Sequence, residues 1–306
     1  MQRINKTKAD LIQELQSKTF AIACSGGIDS MVLMHLCQST MGNSFYCLHL
    51  DHNWREDSIL AKEFIENYCK THSIKFISKK LDQIRISEDE GRKARYEFFE
   101  EICEANSIDY LLMGHNLNDK IETVLFRITR GTNIHGLKSI AEFRDLNNQC
   151  KIYRPLLNLS RDEIEDYARQ HSLEYKEDTS NSDIKFARNR IRHNVIPELL
   201  QINTKLLNNV DKLSRLAEEQ DKFINSVAQK ELERLGDFPW QIQEFRQLNC
   251  AIQRRILELR FIENIDFVTS FINSIQEGGF HRINFAKNKF FTIKQKQIWL
   301  ENDIKE

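Results

Sequence analysis

Six consecutive residues, Ser25-Gly26-Gly27-Ile28-Asp29-Ser30, carry the strongest chemical signal in the chain. They lie between two apolar runs, TFAIAC at 19–24 and MVLMHLCQ at 31–38. Paired glycines adopt backbone conformations closed to other residues. Successive N–H groups can then converge on an anion, and the N-terminus of a following helix adds partial positive charge. Ser25 and Ser30 add hydroxyl donors, so the natural guest is a di- or triphosphate. No lysine follows as a kinase-type G-x-x-x-x-G-K-[ST] loop requires, and the nearest imitation, GTNIHGLKS at 131–139, has Leu137 at the lysine position. Without a lysine on the outer phosphates, the loop suits pyrophosphate as a leaving group better than γ-phosphoryl transfer. Asp29 makes sense in a phosphate loop if Mg²⁺ bridges it to the nucleotide. The plainer alternative is a tight turn with Asp29 capping the helix.

A second group begins at Gly114 and His115, after the apolar run DYLLMG. Asp119 and Glu122 stand three apart at the start of a helix, hence on one face. With Asp29 they can bind Mg²⁺, recognise an ammonium group or accept its proton; the alternative is compensation of the helix dipole. Lys120 reads as solvated. His49, Asp51 and His52 have an H-x-D-H spacing, but no matching ligands accompany them. The histidines therefore read as hydrogen-bonded structure, with His52 and Arg55 lining the nucleotide or RNA side.

Three basic groups complete the inventory. Arg92, Lys93 and Arg95 end in Tyr96, a combination suited to phosphate contacts and base stacking. Arg127 and Arg130 precede Gly131. Between 183 and 195, Lys185, Arg188, Arg190 and Arg192 face a single acid, Asp183, although the whole chain has 44 basic against 45 acidic residues. Arg188 and Arg192 are four apart on one helix face with Asn189 beside them, so this is the expected RNA-backbone contact. A solvated helix face is the alternative for the first and third groups, whereas Arg127 and Arg130 could hold phosphates of ATP or of RNA.

The elements that position these residues alternate. Strands at 19–24, 45–50, 75–78 and 109–114 are separated by amphipathic helices at 31–38, 58–72 and 90–106, with another helix at 118–130. Such alternation implies right-handed crossovers and an α/β fold with a doubly wound, mainly parallel sheet, whose ligands sit beyond the carboxyl ends of the strands. IYRPLL at 152–157 is the last expected sheet element. Ser160 with Glu163 opens a helix as a capping box. From 186 to about 275 helical patterns dominate, and INFAKNKFFTIKQKQIWLE at 283–301 reads as a small hairpin around Lys287 and Asn288. The domains expected are 1–204, holding the phosphate loop, and a smaller, mainly helical 205–306.

Composition narrows the classes. Ten glycines and three prolines in 306 residues are roughly half and a fifth of average usage, which makes each glycine informative. The seven cysteines are scattered, with no C-x-x-C pair, which argues against a disulfide framework, structural zinc or an iron–sulfur cluster. The polar first residues contain no apolar signal core, and no run approaches a membrane span, so no membrane partner is expected and the cytoplasm is the default address.

SGGIDS after a first strand resembles the signature of the PP-loop ATP pyrophosphatases. The wider pattern resembles the tRNA(Ile)-lysidine synthase family within them. It is carried by LHLDHNWR (48–55), EGRKARYEFF (90–99), GHNLNDKIETVLFRITRGTNIHGL (114–137), YRPLL (153–157) and EDTSNSDIKFARNRIRHNVIPEL (177–199). The resemblance implies an adenine nucleotide alpha hydrolase-like fold and ATP with Mg²⁺. It further implies two substrates, free L-lysine and an isoleucine tRNA with a CAU anticodon, whose wobble cytidine becomes lysidine. Ser25, Gly26, Gly27, Ile28, Asp29, Ser30, Gly114 and His115 then bind ATP; Asp29, Asp119 and Glu122 are catalytic, Asp29 also holding the metal; Arg92, Arg95, Tyr96, Arg127, Arg130, Arg188, Asn189, Arg190 and Arg192 contact tRNA. The family usually has two adjacent acids and then glutamine, whereas this chain has Asn118, Asp119 and Lys120. That leaves Asp119 the stronger candidate base. A PP-loop tRNA thiolase is the alternative, disfavoured by the cysteine pattern, and a small-molecule amidating ligase leaves the basic segment unexplained. Homodimerisation is left open by the sequence.

Overall fold

The computed structural model describes residues 2–51, 57–81, 88–176, 187–260, 265–277, 282–286 and 289–302. They form two compact units, Met1–Ser214 and Arg215–Glu306. The first runs α1 (Gln2–Leu15), β1 (Phe20–Ala23), α2 (Ile28–Met41), β2 (Tyr46–Asp51), α3 (Asp57–Thr71), β3 (Lys75–Lys80), α4 (Glu88–Ala105) and β4 (Tyr110–Met113). It continues with α5 (Leu117–Thr129), α6 (Ile134–Leu137), β5 (Phe143–Asp145), β6 (Lys151–Tyr153), α7 (Arg161–Gln170), α8 (Ala187–Arg190), a π turn at Ile191–Val195, and α9 (Ile196–Ile202). The division between the units falls within α10 (Leu206–Leu235).

The six-stranded sheet has the order β3-β2-β1-β4-β6-β5. Every pairing is parallel except that of the edge strand β5 with β6. Strand alternation splits the apolar residues into two cores. Ile22 and Leu112 face one side with Leu11, Leu33 and Ile164; Ala21 and Leu111 face the other with Phe98 and Phe99. A sheet buried on both faces explains why its central strands read as continuous apolar runs. The order reverses between β1 and β4, so their carboxyl ends open a crevice at the topological switch point.

The second unit contains β7 (Trp240–Gln241), α11 (Ile242–Gln247), α12 (Cys250–Arg260), α13 (Ile265–Glu277), β8 (Arg282–Ala286), β9 (Lys289–Lys294) and β10 (Gln297–Asn302). Its core gathers Trp240, Phe245, Ile256, Phe271, Phe291 and Ile298. The C-terminal hairpin expected is one part of a larger element. β8, β9 and β10 form an antiparallel meander, and β7 adds a fourth strand beside β10. The turn between β9 and β10 is made by Gln295 and Lys296, both at positive φ, a conformation for which neither residue type is a signal.

Candidate active site

The phosphate-loop motif leaves β1 at the switch point and enters α2. Gly26 has φ +83°, the left-handed region that favours glycine. Gly27 sits at the helix entry with no side chain capping it, so the first N–H groups of α2 keep their donors for a ligand. The Ser30 hydroxyl donates to the Gly27 carbonyl at 2.8 Å, which fixes the loop from below, while Ser25 is exposed at its rim. Ile28 is buried in the core and anchors the helix start. His49 also steadies the loop. Its ring Nδ1 lies 2.9 Å from the Cys24 carbonyl, so that nitrogen carries the proton.

Gly114 follows β4 and lies against the start of α2. A Cβ there would stand 3.1 Å from the Asp29 carbonyl carbon and 3.2 Å from the Ser30 nitrogen, both backbone. Gly114→Ala is therefore expected to push β4 and the loop apart, costing about 1–3 kcal/mol and weakening ATP binding. Urea unfolding and calorimetric ATP titration test this; an unchanged midpoint with unchanged affinity would refute the close-approach role. His115, next along, accepts through Nδ1 from the buried Arg154 side chain at 3.3 Å. Burial, with the Arg154 charge second, pushes His115 down to about 3, so it stays neutral at physiological pH.

From here the acids assemble. Asn116 caps α5 by accepting from the Asp119 N–H at 3.1 Å, and the Asp119 carboxylate accepts from the Asn116 N–H at 2.9 Å, completing a capping box. The Asn116 amide also donates to Asp29 at 2.9 Å, which links the phosphate loop to the acids of α5. The other Asp29 oxygen accepts from Arg161 at 2.9 Å. Arg192 lies across the two acids one turn apart. It meets Glu122 with two bonds of 2.6 and 2.9 Å and Asp119 with one of 3.1 Å. Burial pushes Asp29, Asp119 and Glu122 up, and Arg161 and Arg192 draw them back down. Three carboxyls thus form a half-buried cluster with two guanidiniums, an arrangement able to take a cationic group or a proton.

A family model described as the PP-loop domain matches residues 1–199. The chain belongs to the PP-loop family. Among curated relatives, it is similar to the tRNA(Ile)-lysidine synthase of Pseudothermotoga lettingae, 36% identical over 61% of this chain and 43% of the relative. It is also similar to that of Francisella tularensis subsp. holarctica, 30% identical over 83% of this chain and 64% of the relative. The chain therefore spans about half to two thirds of the length of these relatives. Among solved structures, the U34-tRNA thiolase NcsA from Methanococcus maripaludis with its [4Fe-4S] cluster has a TM-score of 0.58. It covers 71% of this chain and 80% of that one at 15% identity, a likeness of fold.

The PP-loop domain places the expected basic residues unevenly. Arg192 departs from the outward contact expected of it, because the acids of α5 draw it inward. Tyr96 has the guanidiniums of Arg92 and Arg144 at 5.0 and 4.8 Å from its ring and packs against the core beneath. Arg95 and Arg190 are exposed and Asn189 is half-buried. Arg127, Arg130 and Arg188 converge on one pocket. Lys120, read as solvated, is buried and ion-paired with Asp211 of α10. His52, Arg55, Asp183 and Lys185 lie outside the described residues, as does all of the 177–199 block before Ala187.

Four residues of the site had no signal in the pattern of types and spacings. Asn116, Arg161, Arg154 and Asp211 act through contacts that only the folded PP-loop domain makes. Asn118, which stands where the family has an acid, accepts from the Arg161 backbone N–H at 3.0 Å and so caps α7.

Proposed function

We propose that this chain ligates free L-lysine to C2 of the wobble cytidine in a tRNA(Ile) with a CAU anticodon. The observation that carries this reading is the hydrogen-bonded continuity from the phosphate loop, through Asp29 and Asn116, to Asp119 and Glu122. A nucleotide site alone has no use for a second acidic pocket beside its loop. An enzyme that activates with ATP and then admits an amine does. The names carried by the relatives support the same reaction.

In this mechanism the loop N–H groups and Ser25 hold the phosphates of ATP. The cytidine C2 oxygen attacks the α-phosphorus and pyrophosphate leaves, which converts a poor leaving group into a phosphate ester. The ε-amine of lysine then bonds to C2 as the C2–O bond breaks, and AMP departs. The attacking amine must shed a proton, and Asp119 is the acceptor in this reading. Glu122 holds the ammonium form before that transfer, in place of Arg192. Asp29, whose two oxygens now accept from Asn116 and Arg161, is the residue that would hold Mg²⁺, and the ion would supply positive charge to the phosphates. Among the described residues no three His, Cys, Asp or Glu side chains form a ready cage. The reaction implies the cytoplasm as its compartment, and no described helix is long and apolar enough to cross a membrane.

The test is incubation of the protein with the unmodified tRNA, ATP and labelled lysine. ATP-dependent incorporation into RNA is expected. No incorporation, under conditions where the protein binds ATP, removes the reading.

A further inference from the structure

We propose that the pocket formed by α5, the turn after it and α8 binds one phosphodiester phosphate of an RNA strand and so places that strand beside the acid cluster. This rests on the reading of the chain as an RNA-modifying enzyme and specifies where the backbone is gripped. The cavity holds about 270 Å³, lined by Arg127, Arg130 and Arg188 with Thr123, Thr132 and Phe126. That lies just below the roughly 300–1,000 Å³ typical of cavities that enclose small molecules. It suits a group presented from outside better than a whole nucleotide.

Its chemistry selects an anion. Three guanidiniums line it and no carboxylate does. Arg130 and Arg188 flank the Phe126 ring at 5.4 and 5.5 Å, and among the described residues neither has an acidic partner. These cation–π contacts orient the two planes without consuming their N–H donors. Arg127 is fixed by one nitrogen, which donates to the carbonyls of Gly136 at 2.8 Å and Ser139 at 3.3 Å. Its other N–H groups have no acceptor among the described residues. Burial and the Arg188 charge both pull Arg127 below its ordinary value, so the cluster repels itself until an anion enters. Guanidinium donors in a fixed fork match phosphate oxygens, and they supply the donors here because the Thr123 and Thr132 hydroxyls already donate to the carbonyls of Asp119 and Asn133.

The backbone is shaped to keep this cavity open. Gly131 has φ +76° and nothing within 4 Å of where its Cβ would be. At Gly136 the opposite holds, because a Cβ would meet the Thr132 hydroxyl at 1.8 Å. The second glycine thus lets α6 close against Thr132 and present its carbonyl to Arg127.

Position then indicates the source of the phosphate. Thr123 adjoins Glu122, and Arg127 and Arg130 lie five and eight residues further along α5 from it, about 7–12 Å at 1.5 Å per residue. Arg188 is four residues before Arg192, which bonds both acids. An RNA chain gripped here presents a base towards Asp119 and Glu122, while the phosphates of ATP have their own donors at the start of α2.

The test compares the full chain with Arg130→Gln, Arg188→Gln and Arg188→Lys. Anisotropy of a labelled, unmodified tRNA transcript is measured from low to moderate salt, and ATP binding by calorimetry. Each glutamine variant is expected to weaken tRNA binding by about 5–10-fold at low salt and to reduce the salt slope by about 1, with Arg188→Lys keeping most of that slope. ATP affinity is expected to stay unchanged. Unchanged tRNA affinity and slope overturn the proposal. So does a fall in ATP affinity with tRNA binding intact, which would assign the pocket to the nucleotide. Neither readout requires lysine or turnover, so a chain that makes no lysidine yet shows the slope loss keeps the pocket and loses only the reaction.

Discussion

Asp119→Asn is expected to lower lysine transfer to tRNA by about 10²–10⁴-fold, the range general-base catalysis typically contributes, with ATP affinity nearly intact. The substitution isolates chemistry from folding. In the capping box one Asp119 oxygen accepts from the Asn116 N–H, and an asparagine carbonyl can do the same, so α5 keeps its start. The other oxygen faces Arg192, and there an amide can neither neutralise a cation nor take a proton from an amine. The pH profile gives a second readout. Burial holds the Asp119 carboxyl above the ordinary range, so it ionises later as pH rises than an exposed aspartate. Lysine transfer by the unaltered enzyme should climb through that raised ionisation, and the climb should flatten in the variant. Wild-type turnover by Asp119→Asn removes Asp119 as the base.

The largest effect on stability is expected from Asp211→Leu. Lys120 and Asp211 form an ion pair with side-chain exposures of 9% and 15%. Removing one partner leaves an ammonium buried without its counter-charge, which typically costs about 3–5 kcal/mol, whereas replacing both by apolar groups is often neutral. The double substitution Lys120→Met with Asp211→Leu should therefore recover most of the loss in urea unfolding. A single variant within about 1 kcal/mol of the parent, the scale of an exposed pair, would show that water reaches the site freely. The pair ties α5 to α10, and α10 also holds the end of α6 through the Ser214 hydroxyl, which donates to the Leu137 carbonyl at 2.8 Å. Activity measured alongside stability then reports how far the acid face of α5 depends on this brace.

The phosphate loop, the parallel sheet and the capping box that opens α7 were legible in the sequence because each is written in neighbouring residues. Two glycines between apolar runs identify a strand–loop–helix turn, and Ser160 with Glu163 fixes a helix start within one turn. The edge strand β5 was not legible, since its three residues, Phe143–Asp145, are all exposed and follow no apolar alternation. Long-range pairs were equally silent. Arg161 and Asp29 are 132 residues apart, Arg192 and Glu122 70, and nothing about a charged residue says whether its partner will be water or another side chain. Lys120 shows this most clearly. Its type predicts solvent, but the structure buries it against a carboxylate 91 residues downstream. The pull of the α5 acids on Arg192 is the same effect with the opposite charge.

The 132 residues between Asp29 and Arg161 also set a schedule for protein synthesis. The phosphate loop emerges from the ribosome among the first thirty residues, and the acids of α5 follow by residue 122. Their two cations arrive later, Arg161 with α7 and Arg192 later still. A nascent chain at residue 150 holds five of the six strands, lacking β6, and has the three carboxyls without either of their guanidinium partners. Both counter-cations are present only once the turn after α8 has been made, so full charge compensation of the acids waits for Arg192.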